Sequence, residues 1–265
     1  MIQLPSVTLP NRTAATLARY QADIDYISDL AQRISRAKRD FQQRNTAKNK
    51  TFRLVREKLH EMCSGSRRCH YCEDSCADEV EHFKPKEIYP ELTFVWENYL
   101  YACGACNRRK TDKFVVFSQH TGLLIDVSRQ RGSPILPPEL GDPVLINPRR
   151  ENPLRWMELE LRQTYMFLPA GDLSQHEYER ARFTIELLDL NRDVLLEARE
   201  NAYSSYRARL QEYIDQRDTH QPTDQRIHAI KRMEHPSVWF EMKRQANLLD
   251  DLRPLFRQAP EALAW

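Results

Sequence analysis

Cys69-His70-Tyr71-Cys72 and Cys103-Gly104-Ala105-Cys106, with 30 residues between them, form the stretch on which the reading of this sequence turns. A two-residue gap lets both thiolates of a tight knuckle face one ion, and two such knuckles complete a tetrahedral site. All four positions are cysteine, so no coordination place is left for water, and the expected zinc is structural, not catalytic. A disulfide framework would spread its cysteines along a small secreted chain. Here all six (Cys63, Cys69, Cys72, Cys76, Cys103 and Cys106) fall in one short segment of a 265-residue chain. Cys63 and Cys76 are expected to be buried free thiols.

The residues between and just after the knuckles add chemistry to the clip. Val80-Glu81-His82-Phe83-Lys84-Pro85 places a carboxylate beside a histidine in a short β-like stretch that proline ends. After a loop, Asn98 stands in Trp96-Glu97-Asn98-Tyr99-Leu100, and Cys106-Asn107-Arg108-Arg109-Lys110 is expected to open a helix. Phosphodiester hydrolysis needs a deprotonated water in line with the leaving oxygen and a cation that neutralises developing charge. Histidine suits the base, since its ordinary pKa lies near neutrality. Mg²⁺ takes oxygen ligands, one or two from protein and the rest from water and phosphate. Arg108, Arg109, Lys110 and Lys113 are expected to contact substrate phosphates at the start of that helix.

From Cys69 to Lys113 the chain resembles the HNH endonuclease family, whose ββα-metal fold is framed by a four-cysteine zinc site. The resemblance implies that His82 is the general base, that Glu81 and Asn107 hold a catalytic Mg²⁺ or Mn²⁺, and that Asn98 braces the loop and orients His82. The chain departs from the family's letters with Asn107 in third place and Glu81 where Asp is commoner. Each still offers an oxygen to a hard cation.

Outward from this core the sequence divides by composition. Residues 1–62 carry 12 Lys/Arg against 6 Asp/Glu, and ten of those cations lie in Arg33–Lys58 opposite only Asp40 and Glu57. This basic, helical segment reads either as a solvated face or as a surface for nucleic-acid phosphates. Leu17, Tyr20, Ile24, Ile27 and Leu30 form one apolar stripe after Asn11 or Thr13, and a second helix is expected over Lys50–Glu61. Residues 63–118 hold the ββα core. Residues 119–170 are a proline-rich connection with short strands such as Met157–Leu161. Residues 171–265 are helical: Ser174 starts a run through Leu188, Asn191 caps the next helix to about Ile214, and two more cover Asp224–Met233 and Ser237–Arg257. The expected class is α+β, a ββα-metal core embedded in mostly α-helical N- and C-terminal segments.

Only six glycines occur, none at the spacing of a P-loop or dinucleotide-binding turn, which argues against an ATPase or a nicotinamide dehydrogenase. No apolar stretch approaches the roughly 20 residues of a membrane span, and Met1–Pro5 lacks the features of a secretory signal, so a cytoplasmic location is expected. Leu145-Ile146-Asn147-Pro148 and Thr184–Arg192, with the segments around the knuckles, resemble the PtuB-like HNH nucleases of Septu-type anti-phage systems. That resemblance implies a separate SMC/ABC-like ATPase partner docked on the C-terminal helices. The expected function is metal-dependent endonucleolytic cleavage, of DNA first and RNA as the alternative substrate. Two other readings stay open: a stand-alone restriction or homing-type HNH enzyme, and a non-catalytic zinc-ribbon module that recruits nucleic acid or protein.

Overall fold

Three helices precede the first strand in the computed structural model, which describes residues 1–130 and 132–265. They are α1 (Asn11–Asp25), α2 (Leu30–Arg44) and α3 (Lys50–Glu61). The stripe from Leu17 to Leu30 is divided between two helices, because the Asp29 carboxylate accepts the Gln32 N–H at 2.8 Å and starts α2 afresh. Asn49 caps α3 in the same way, accepting from Thr51 and Phe52. Ile34, Ala37 and Phe41 of α2 and Phe52, Val55 and Leu59 of α3 are buried, and the Phe41 and Phe52 rings meet edge-to-face at 5.5 Å. None of the ten cations of the basic run is buried.

The centre is a hairpin followed by a helix. β1 (Glu79–His82) and β2 (Tyr99–Ala102) pair antiparallel, Glu79 opposite Ala102 and His82 opposite Tyr99. The helix α4 (Gly104–Lys110) then runs back along β1 until Thr111, at φ +46°, breaks it. Cys103 is its N-cap, so α4 starts ahead of Cys106. Arg108, Arg109 and Lys110 therefore occupy its last turn, not its N-terminus as the sequence reading has it. The helix dipole at that end favours their positive charge but offers nothing to a phosphate.

Beyond α4, β3 (Val115–Ser118), β4 (Leu124–Asp126) and β5 (Gly141–Pro143) form a small antiparallel sheet in the order β4-β3-β5. A side chain at Gly141 would meet the Phe117 carbonyl at 2.1 Å, so only glycine lets β5 approach β3 this closely. β6 (Met157–Leu159) pairs with β7 (Phe167–Pro169). Five helices follow: α5 (Gln175–Leu188), α6 (Asp193–Asp218), α7 (Asp224–Lys231), α8 (Pro236–Arg244) and α9 (Arg253–Gln258). Ser174 and Glu177 make a reciprocal capping box at α5. Asn191 does not cap α6. Its amide instead clamps both the N–H and the C=O of Phe167 on β7 at 2.8 Å, and Arg192 takes the cap position. The helix expected over Ser237–Arg257 is two, α8 and α9.

The protein is α+β, and one apolar core collects side chains from α1 through α9 around the hairpin. Polar ties reinforce it. Glu73 of the first knuckle accepts from the Ser237 hydroxyl at 2.5 Å, and Arg109 on α4 pairs with Asp189 beyond α5 at 2.7 Å. Among the described residues no helix is long and apolar enough to cross a membrane.

Candidate active site and metal centre

The four knuckle cysteines converge. Their sulfurs lie within 4.8 Å of one another, all four side chains are buried, and Cys72 Sγ stands 3.8 Å from Cys103 Sγ. A tetrahedron with Zn–S bonds of about 2.3 Å has S···S edges of about 3.8 Å, the Cys72–Cys103 separation, so the donor set fits zinc. Glu73, at φ +66°, turns the first knuckle while its N–H bonds the Cys69 carbonyl at 2.9 Å. Inside that knuckle His70 is a structural residue: Nδ1 accepts the Tyr101 N–H at 3.0 Å, and burial holds its pKa down to about 3. The expectation for the two spare cysteines is corrected by half. Cys63 is partly buried, its thiol pushed up to about 11 by desolvation, whereas Cys76 is exposed. It follows the knuckle on a lone bridge to Arg68, at the surface.

A second centre is a cleft of about 690 Å³ between β1, α4 and the α2–α3 hairpin. It brings together Glu81, His82 and Asn107 from the ββα unit, with Arg108 at its edge. His82 is almost fully buried. Its ring lies edge-on to Phe41 of α2 at 4.4 Å and to Tyr99 at 5.3 Å. Nε2 sits 2.9 Å from the Thr93 carbonyl. A carbonyl only accepts, so Nε2 carries the proton and Nδ1 keeps its lone pair. Burial pushes the His82 pKa well below its ordinary value, and Lys86 and Lys110 add like-charge repulsion against protonation.

Glu81 and Asn107 reach the same cleft from facing elements. Glu81 Oε1 accepts from Lys110 Nζ at 2.6 Å. Burial raises its carboxyl above the ordinary range, opposed by the Lys110 charge. The Asn107 Nδ2 donates to a Glu79 carboxylate oxygen, and among the described residues Asn107 Oδ1 has no hydrogen-bond partner. Asn98 lies outside this cleft. Its Oδ1 accepts the Lys84 N–H at 2.8 Å, while Nδ2 donates to the carbonyls of Lys84 and Leu92, both at 3.0 Å. It thus ties the two ends of the loop that carries Thr93, and reaches His82 only through that backbone.

The four cations expected on phosphate separate. Arg108 is exposed on the cleft, Lys113 is exposed away from it, and Arg109 is engaged with Asp189. Lys110 is completely buried and bonds Glu81 and the His82 carbonyl, so it cannot meet a substrate phosphate. That expectation is corrected. Cleft residues the sequence reading passed over are Glu79 and Lys86 of the ββα unit and, from outside it, Lys38, Asn45 and Arg56. Strand alternation pointed to Glu79, since residues 79 and 81 share a face of β1. Nothing local marked Lys38, Asn45 and Arg56, which arrive only when α2 and α3 pack on the hairpin.

Two comparisons bear on this geometry. The family model for HNH endonuclease matches residues 69–113. Over 48 residues the chain is 46% identical to the Septu protein PtuB of Bacillus thuringiensis, a match that covers 16% of this chain and 19% of that relative's length. The matched segment holds both cysteine knuckles, β1, β2, α4 and the cleft's Glu81, His82 and Asn107, and residues 69–113 are therefore a domain of the HNH endonuclease family.

Proposed function

We propose that this protein is a metal-dependent endonuclease whose cleft hydrolyses phosphodiester bonds, with His82 as general base. The observation that carries the reading is the tautomer forced on His82. Thr93 takes the Nε2 proton, so the ring keeps an unprotonated Nδ1, and His82 lines the same cleft as Glu81 and Asn107. Nδ1 removes the proton from the attacking water. Glu81 and Asn107 offer two oxygens to one cleft, a donor set that suits Mg²⁺ or Mn²⁺, which would neutralise charge growing on the phosphate and the leaving oxygen. Asn98 keeps the loop, and with it Thr93, at the distance His82 needs. Arg108 and Lys38 of α2, both exposed, draw the sugar-phosphate backbone toward the cleft, which Lys86 also lines. DNA is the first expected substrate and RNA the second.

The resemblance to PtuB-like proteins supports a role as effector of a Septu-type anti-phage system, gated by an SMC/ABC-like ATPase. Within this sequence no glycine loop could sense nucleotide, so the gate would come from a partner. The C-terminal segment offers exposed Val194 on α6, Phe240 on α8 and Leu248 in the turn after α8 as contact points. Their inward faces, including Val238, Trp239 and Phe256, belong to the core. Removing residues 237–265 would therefore unfold the protein instead of testing docking, and Phe240→Glu is the selective probe.

The deciding experiment is a cleavage panel of linear duplex DNA, single-stranded DNA and tRNA with Mg²⁺ or Mn²⁺, with and without the candidate ATPase. Cleavage of one substrate by wild type and none by His82→Ala is the expected result. Equal cleavage by both proteins would remove His82 from the mechanism. Binding of nucleic acid without cleavage under any condition would leave a zinc-organised recruiting module.

A further inference from the structure

Lys110 is the most buried cation of the ββα unit, with no part of it exposed. An ammonium taken out of water is retained only where strong acceptors replace its hydration. Here the acceptors are Glu81 Oε1 at 2.6 Å and the His82 carbonyl at 2.8 Å, two neighbouring residues of the cleft. The matching arrangement lies one step along. Residues two apart on a strand share a face, so Glu79 and Glu81 both look toward α4. Residues three apart on a helix share a face, so Asn107 and Lys110 both look toward β1. The registers meet as two rungs, Glu79 with Asn107 and Glu81 with Lys110.

Each rung joins one residue of the proposed cation site to one residue outside it. Lys110 has donors only and cannot ligate a cation. A carboxylate accepts only, so Glu79 holds the Asn107 amide by its NH₂, and the planar amide must turn Oδ1 the other way, where its lone pairs are free. The geometry assigns Glu79 and Lys110 as positioning residues that orient Asn107 and Glu81, respectively, so that both oxygens stand ready before a divalent cation arrives. The assignment rests on the cation site proposed above. It also explains why a lysine is buried where an apolar side chain would fill the same space.

The test uses the full-length, zinc-loaded protein and Mn²⁺ as probe, with free Mn²⁺ read by electron paramagnetic resonance. Partners of metal ligands typically tune affinity by roughly 10–100-fold, so Lys110→Met and Glu79→Ala should each weaken Mn²⁺ binding within that range. Glu79→Gln, which keeps an oxygen for the Asn107 amide, should recover most of the loss. Cleavage by Lys110→Met should return when Mn²⁺ is raised, with the KM for DNA and its salt dependence unchanged. Combining Lys110→Met with Glu81→Gln should weaken Mn²⁺ no further than Glu81→Gln alone, because Lys110 acts through Glu81. A merely structural lysine would lower the melting temperature and the active fraction while the folded remainder kept its Mn²⁺ affinity, and that overturns the assignment. If Lys110→Met does not fold, Glu79→Ala and Glu79→Gln decide by the same titration. Unaltered Mn²⁺ affinity in these variants, where Glu81→Gln does weaken it, removes the positioning roles alone. Unaltered affinity in Glu81→Gln as well removes the cation site itself.

Discussion

The cysteine site and the cleft both use α4, yet they are held together in opposite ways. Four identical side chains from two short knuckles make the first, and the turns that shape each knuckle close within a few residues. The cleft draws on β1, α4 and a helical hairpin that ends some twenty residues before β1, and its Glu81, His82 and Asn107 are each fixed by a partner from another part of the fold. The metal can organise the first centre almost alone. The second exists only once the surrounding core is packed. On the proposed reading, the ion that holds the knuckles is separate from the ion that would serve the chemistry.

The largest effect should come from breaking the cysteine site. Cys103→Ser removes one ligand of a centre whose metal affinity is folding free energy, apparent values for such zinc sites being about 10–16 kcal/mol. Metal analysis should find less than one zinc per chain, and the thermal transition should lose cooperativity, so the cleft is lost with it. An intact transition in a zinc-free variant would show that the cleft stands without the knuckles.

Next comes the cleft itself. His82→Ala should slow cleavage by roughly 10²–10⁴-fold, the usual worth of a general base, with zinc content unchanged. The ring is buried between Phe41 and Tyr99, so its removal leaves a cavity, and the melting temperature should also fall by a few degrees. Circular dichroism on the assayed protein separates the two effects. A rate loss no larger than the unfolded fraction explains would make His82 a packing residue.

Two neighbours on α4 sharpen the contrast further. Arg108→Ala should weaken DNA binding uniformly across sequences and reduce the slope of log affinity against log salt by about one. Lys110→Met should leave that slope alone, since the buried lysine meets no phosphate. Fluorescence anisotropy over a salt series in a His82→Ala background reads both. A reduced slope in Lys110→Met would mean that the helix opens on binding.

The smallest effect lies far from both centres. Ser174→Ala removes the capping box of α5 and should cost about 1 kcal/mol, or about 2–4 °C in melting temperature, with cleavage per folded molecule unchanged. Calorimetry measures the shift. A loss of specific activity would show that α5 transmits strain to α4 through Asp189 and Arg109.

Short-range chemistry was legible in the chain before it folded. The Cys-x-x-Cys spacing places two sulfurs on one knuckle whatever surrounds it, and the Ser174 cap acts within four residues. The glutamate, histidine and two asparagines of the motif could be picked out because their order along the chain is itself the signal. Which face each residue shows to water was not written there. Arg108 and Lys110 look alike in sequence, but helical rotation turns one to the cleft rim and the other onto β1, where Glu81 awaits it. Asn191 resembles a helix cap, but the strand carrying Phe167 runs close enough to claim both ends of its amide. The lid of α2 over His82, with Phe41 on the imidazole and Lys38 at the rim, is decided only by packing. Burial, pairing and the tautomer of the base depend on neighbours distant in sequence, and those are chosen by the tertiary core.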